Sequence, residues 1–198
     1  MTTARRSPRQ QRSRQTVTWI LEAAAQVFHE RGYAATTTNK VAERAGVSIG
    51  SVYQYFPDKD ALLAALAERH MAEAAAEVEA LVQRHAHDPL GTLIRELIAC
   101  VAGLHAARPG LHALLVAHAL RYPRLQERLR EIEHAAAAPI ADRLRRSGLG
   151  GDPDLRALLF VQGVDAQIHG ALLALPPGLT SEEIVEELVD LWTAALSK

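Results

Sequence analysis

Ser48, Ile49, Gly50 and Ser51 stand together in AGVSIGSVYQYF, residues 45–56, with Tyr53 and Gln54 close behind. Ser48 is a good helix cap, and the N–H groups that follow a cap suit a phosphate or a base edge. Ile49, Gly50 and Ser51 are small or slender, so a helix beginning here enters a major groove without its backbone being held off. Ile49 has no hydrogen bond to give, which favours a thymine methyl or a sugar over a polar base code. This is the chemistry of reading double-stranded DNA, and the charge pattern agrees. Residues 1–59 hold nine Arg/Lys against four acids, a balance of +5, while the remainder carries 13 bases and 19 acids, a balance of −6. A basic head on an acidic body suggests that only the head meets a polyanion. Arginine outnumbers lysine nineteen to three throughout, so position is the informative signal. Arg5, Arg6, Arg9, Arg12 and Arg14 form a basic arm with two readings: a solubilising tail, or a set of phosphate and minor-groove contacts that adds salt-dependent affinity.

The elements that must position these residues are helical. AGVSIGSVYQYF is itself poor helix material, but strong helix formers flank it. Gly46 supplies the positive φ of a sharp turn between two short helices, and Val47 is expected to tuck under the pair. Val52 with Tyr55 or Phe56 would face inward, leaving Tyr53 and Gln54 outward. The helix before the turn spans about Thr38 to Ala45 and buries Val41, Ala42 and Ala45. Ahead of it, residues 13–31 line up Val17, Ile20, Leu21, Ala24, Val27 and Phe28 and end at Gly32. Behind it, an alanine-rich helix runs from Asp58 to about Ala86. Asp88-Pro89 and Asp152-Pro153 each pair an N-cap with proline at the first helical position; Arg108-Pro109 and Tyr122-Pro123 use the proline alone. Thr180 and Glu183 are spaced as a capping box. The expected fold is all-α: about nine helices, with an N-terminal three-helix helix-turn-helix domain and a C-terminal helical domain.

TTTNKVAERAGVSIGSVYQYFPDKDALLAAL resembles the N-terminal domain of the TetR family of transcriptional regulators, across roughly residues 13–66. The T…A..AGVS.G..Y.YF..K..L skeleton is present without gaps. The resemblance implies that Thr38 binds phosphate at the start of helix 2, beside Asn39, and that Ser48, Ile49, Gly50, Ser51 and Gln54 face the groove. It further implies that Tyr53 and Tyr55 hold phosphate or touch bases, and that Lys59 clamps the DNA backbone. Asp58-Lys59-Asp60 departs from the family's commoner small-Lys-Glu pattern, although Asp58 remains a competent N-cap. The expected layout is a flexible basic arm over 1–14, a DNA-binding domain over 15–60, and a body over 61–198.

Residues 154–175 are apolar nearly all round, and Gly163, Ala166, Gly170 and Ala174 share a face that another helix could approach. The last helix carries two stripes, Ile184/Leu188/Leu191/Ala195 and Val185/Val189/Trp192/Leu196. One stripe would pack on the chain's own core and the other on a partner, giving an isologous homodimer through the last two helices, with Val185, Leu188 and Trp192 in the interface. Helices 5 to 7 would enclose a small apolar or aromatic effector, as the resemblance implies. His105, His112, Leu115 and His118, with Gln162, Asp165 and His169 on helix 8, are the candidate lining. Each histidine taken singly reads more simply as a surface or satisfied core residue. No HxxxH or His/Cys spacing appears, so no metal and no cofactor are expected.

The chain is 198 residues long, 48% hydrophobic and 23% charged. No run of eighteen apolar residues exists, so no membrane partner is expected, and cytoplasmic location is the default. Cys100 is the lone cysteine, which excludes an internal disulfide. No nucleophile–base pair, paired acids or phosphate loop supports catalysis. The favoured reading is a repressor that binds a pseudo-palindromic operator as a dimer and is released by a small molecule. Its rivals are an all-helical carrier or enzyme with a vestigial helix-turn-helix, and a sequence-independent DNA-coating protein.

Overall fold

In the computed structural model of the chain, residues 8–107, 109–119, 122–148, 150–173 and 178–197 are described. Arg5, Arg6 and Ala174 lie outside the described residues, as does the side chain of Arg9. The described residues form nine helices and no strand: α1 (Pro8–Ala35), α2 (Thr38–Ala45), α3 (Ile49–Tyr53), α4 (Lys59–Arg84), α5 (Leu90–Ala107), α6 (Pro109–Ala119), α7 (Pro123–Ser147), α8 (Pro153–Leu173) and α9 (Ser181–Leu196). α1 begins earlier than the apolar stripe alone suggests. Pro8 suits a first helical position, and QQRSRQ after it contains no breaker, so residues 8–14 are helix and not part of a flexible arm. Gly32 breaks the regular helix with φ 70° and ψ 175°, at the position expected for its end.

Two compact units emerge, one of residues up to Arg69 with Leu114–Tyr122, the other of His70–Ala113 with Pro123 onward. The division at 69/70 lies nine residues beyond the expected 60/61, because the first turns of α4 bury Leu62, Leu63, Leu66 and Ala67. In the first unit α1 buries Ile20, Ala24, Val27 and Phe28, α2 buries Val41 and Ala42, and α3 buries Val52. In α1 these residues recur every three or four positions, which turns one stripe of that helix inward. Arg44 of α2 donates two bonds to Glu30 of α1, at 2.8 and 2.6 Å, and a third to Gln26 at 2.9 Å, which ties α2 against α1.

The second unit has a core of Leu93, Ile94, Leu97 and Ile98 from α5, Ile140 and Leu144 from α7, Phe160, Val164 and Ile168 from α8, and Leu188 and Val189 from α9. α5 averages a mean hydropathy of 1.4 over 18 residues, enough by length and composition to cross a bilayer. Here that apolarity supplies the core. Asp152 Oδ1 caps α8 by accepting from the N–H groups of Asp154 (2.9 Å) and Leu155 (3.2 Å), and the Thr180–Glu183 capping box opens α9. α8 and α9 approach closely at Gly163, where an added Cβ would lie 2.4 Å from Trp192 Cζ2. The indole cannot simply swing away, since its Nε1 donates to Gln167 at 2.9 Å and its ring packs edge-on against Phe160. Overpacking of this kind costs about 1–3 kcal/mol, against at most about 1 kcal/mol gained from replacing a helical glycine. Gly163→Ala is therefore expected to lower the urea midpoint, and adding Trp192→Phe, which removes the clashing atoms, should recover part of the loss. An unchanged midpoint in the single variant would contradict this packing.

Candidate nucleic-acid interface

The interface is assembled by local rules. Gly46 takes the left-handed conformation (φ 66°, ψ 30°), and its N–H and that of Val47 return to α2 carbonyls, which ends that helix abruptly. Thr37, not Thr38, is the N-cap of α2, accepting from Lys40 N at 3.3 Å. Ser48 caps α3 by accepting from Ser51 N at 3.1 Å, and its hydroxyl meets that of Ser51 at 2.8 Å. Val52 is buried completely and Phe56 nearly so, which turns the opposite side of α3 to solvent. Tyr53 is 52% exposed and Ile49 37%, and Ser48, Gly50, Gln54 and Asn39 are exposed with them. Val47 and Ala45 are only half-buried.

Two long-range contacts order this face. The hydroxyl of Tyr53 bonds that of Thr38 at 3.1 Å, joining α3 to the start of α2. Tyr55 turns the other way, is half-buried, and bonds Ser13 of α1 at 3.0 Å. Lys59 is committed within the chain. Its ammonium donates to the carbonyl of Tyr33 at 2.9 Å and reaches that of Ala34 at 3.5 Å, and it lies 4.2 Å from the Tyr33 ring centroid. A cation at carbonyls past the Gly32 break stabilises that end of α1. The Tyr33 hydroxyl in turn donates to Asp60. Lys59 therefore positions α4 against α1 through Tyr33, and Ser13 is the counterpart of Tyr55; sequence reasoning missed both Tyr33 and Ser13. Their partners lie 26 to 42 residues away, so no local pattern could have announced them.

The candidate effector residues divide. His105, His112 and His169 can bring ring nitrogens within 4.8 Å of one another, all inside the second unit. His70 joins them through a 3.3 Å contact between its Nε2 and His112 Nδ1, and Asp165 Oδ1 lies 3.5 Å from His105 Nε2. Burial, and then the imidazoles of His105, His70 and His169, push His112 down to about 3. Its ring is therefore neutral at pH 7. Motif spacing does not register such a group, because its residues come from four helices. Gln162 is elsewhere, donating to Glu133 at 2.8 Å. Leu115 is buried and His118 stacks on Tyr33, 4.3 Å between centroids, both in the first unit. Instead, a groove of about 440 Å³ lies between α4 and α7, lined by Val78, Val82, Ile132, Ala136 and Pro139 together with the polar Glu79, Gln83, Arg128 and Glu131. Cys100 is half-buried beside the core, and burial pushes its thiol up, away from the thiolate a nucleophile needs.

The candidate dimer residues divide as well. Gly163 faces Trp192 of the same chain, Leu188 is buried in the second unit's core, and Val185 and Trp192 pack against that core. Ala166 and Gly170 are exposed, on the side of α8 that also presents Leu155 and Leu159; Leu191 is exposed on α9.

Comparison with known proteins places this geometry. Residues 20–66 match the sequence model "Bacterial regulatory proteins, tetR family", and residues 89–196 match "Tetracyclin repressor-like, C-terminal domain". The Fatty acid metabolism regulator protein of Bacillus subtilis is 31% identical over 88 residues, covering 43% of this chain and 45% of that protein. The chain spans about half the length, or less, of the curated relatives it matches. A TetR-family transcriptional regulator from Mesorhizobium loti superposes with a TM-score of 0.70 at 25% identity, covering 93% of this chain and 98% of that one. SmeT in complex with triclosan gives a TM-score of 0.65 at 27% identity, covering 91% of each chain.

Proposed function

The chain belongs to the TetR family of bacterial regulatory proteins, and on that premise we propose that it is a cytoplasmic, homodimeric, ligand-responsive transcriptional repressor. The observation that carries this reading is the two-sided α3: Val52 and Phe56 anchor one side, while Ser48, Ile49, Gly50, Tyr53 and Gln54 stand outward together. One such helix is too short to specify a site alone. Two copies related by a dyad would read two half-sites of a pseudo-palindrome.

Dimerisation falls to the sides of α8 and α9 turned away from the core, through Leu155, Leu159, Ala166, Gly170 and Leu191. This revises the stripe expected from sequence, since Gly163, Val185, Leu188 and Trp192 are engaged within the chain. The effector is a small apolar or aromatic molecule seated in the α4–α7 groove, a reading supported by the valine, isoleucine, alanine and proline part of its lining and by the complex of the relative SmeT with triclosan. α4 is the natural transmitter, because Lys59–Arg69 belongs to the first unit and His70–Arg84 to the second. An effector that binds one setting of α4 more tightly would shift the population towards it, and operator affinity falls if that setting mismatches the half-site spacing.

DNase footprinting on DNA upstream of the chain's own gene tests the reading. The expected result is a protected tract with half-sites about 10 base pairs apart or a multiple of that. Tyr53→Ala should then weaken binding roughly thirtyfold, from about 1 kcal/mol per hydrogen bond lost in each of two protomers. Dimer mass should stay unchanged, and the melting temperature should fall only slightly, from loss of the exposed bond to Thr38. Undiminished binding in Tyr53→Ala, or protection without a preferred site, contradicts the assignment.

A further inference from the structure

Four imidazoles from four helices meet in the second unit: His70 of α4, His105 of α5, His112 of α6 and His169 of α8. Two of their nitrogens are orphaned. His105 donates Nδ1–H to the Val101 carbonyl at 2.8 Å, and its Nε2 is buried without a hydrogen-bond partner; His169 Nδ1 is buried in the same condition. Buried nitrogens are rarely left so, and each one calls for an explanation. The neighbour of His105 Nε2 sharpens the point. With Nδ1 carrying the proton, Nε2 presents a lone pair to Asp165 Oδ1 only 3.5 Å away, an acceptor against an acceptor. A cation between them would resolve that conflict and satisfy both atoms at once.

We propose that His105, His112 and His169 bind one divalent transition-metal ion of the zinc, cobalt, nickel or copper class, with Asp165, 3.5 Å from His105 Nε2 but outside the 4.8 Å group, drawn in as the fourth ligand. Neutral imidazole suits these ions, and three imidazoles with one carboxylate make a four-coordinate set. His105 ligates through Nε2 and His169 through Nδ1. The supporting shell is already present. The Val101 carbonyl holds the His105 ring in the tautomer that frees Nε2, and His70 engages His112 Nδ1, contacts of the kind that orient metal-bound histidines. Three nitrogens within 4.8 Å of one another must draw in to about 3.3–3.4 Å, the spacing set by metal–nitrogen bonds of about 2.0–2.1 Å in a tetrahedron. The rival account is a proton on His105 Nε2, pairing an imidazolium with Asp165 in a site that takes no metal.

The site does not depend on the operator reading, and its test uses no DNA. Untagged full-length protein, stripped with a chelator, is titrated with Co²⁺ and followed by visible absorption. One equivalent per chain should produce intense ligand-field bands, which Zn²⁺ then abolishes. His105→Gln and His169→Gln should each weaken Co²⁺ binding at least about a hundredfold, more than the usual effect of a supporting residue. Asp165→Asn, at a half-exposed carboxylate, tests the same site with little risk to folding and should weaken binding about tenfold or more. His87→Gln, at an exposed position past the end of α4, should change nothing. Absence of the bands, substoichiometric binding, or undiminished binding in the Gln and Asn variants with helicity intact would overturn the proposal in favour of the protonated pair.

Discussion

Leu155→Asp combined with Leu159→Asp is expected to leave a folded monomer that no longer binds the operator. Each leucine is 53% exposed in the single chain, so a dimer has about half of each left to bury. That is worth about 1 kcal/mol per side chain, or about 4 kcal/mol over the four leucines of a dimer, roughly a thousandfold in dimer Kd. Four carboxylates forced into the interface add to the loss, because a buried charge without a partner is expensive. Little should change within the protomer, since both positions lie opposite the buried Ala157, Phe160 and Val164 on α8. Sedimentation equilibrium reads the mass and gel shift reads the affinity. Leu179→Asp, exposed between α8 and α9, is the control. A double variant that remains dimeric would sink this interface, whatever its effect on DNA.

The second large effect concerns Gly50 and has opposite signs for folding and for binding. Gly50 is helical with no positive φ, and a Cβ there would meet only Ser48 Oγ, at an ordinary 3.8 Å. The fold gives no reason for a glycine. Gly50→Ala should therefore raise stability by about 0.4–1 kcal/mol through the unfolded state. If α3 lies in a groove, the bare backbone is a concession to DNA. Gly50→Leu should then fold normally while losing at least about thirtyfold in operator affinity, from about 1–3 kcal/mol of overpacking at each of two half-sites. Thermal melts and gel shifts on the same preparations separate the two effects. A Leu variant that binds as tightly as the parent would show that Gly50 does not approach the groove.

What the sequence made legible follows from the range of the interactions. Gly46, the Ser48 cap, the Asp152 cap and the Thr180–Glu183 box each join residues two to four positions apart. The burial of Val52 and Phe56 is likewise a matter of helical period. Contacts that depend on how helices cross were not legible. Lys59 offered no sign that its charge would serve the Tyr33 and Ala34 carbonyls, nor Gly163 that Trp192 would fill the space beside it. His105, His112 and His169 were grouped as a candidate lining, but no shared spacing announced that their nitrogens would meet or that His70 would join them. The boundary of the arm was misjudged for a different reason: Pro8 and the residues after it are sound helix-starting material, so 8–14 belong to α1.

The paired hydroxyls of the outward face have a consequence best expressed as a count of protons. Thr38 and Tyr53 share one hydrogen bond, as do the hydroxyls of Ser48 and Ser51. Each pair owns two protons and uses one internally, so one O–H per pair is left for whatever approaches, and the internal bond polarises it. Each pair meets an incoming group with a proton already to spare and its oxygens partly occupied. That O–H suits lone pairs on phosphate oxygens or on purine N7 and O6, while the lone pairs left on the same oxygens can accept from the amino groups of adenine and cytosine.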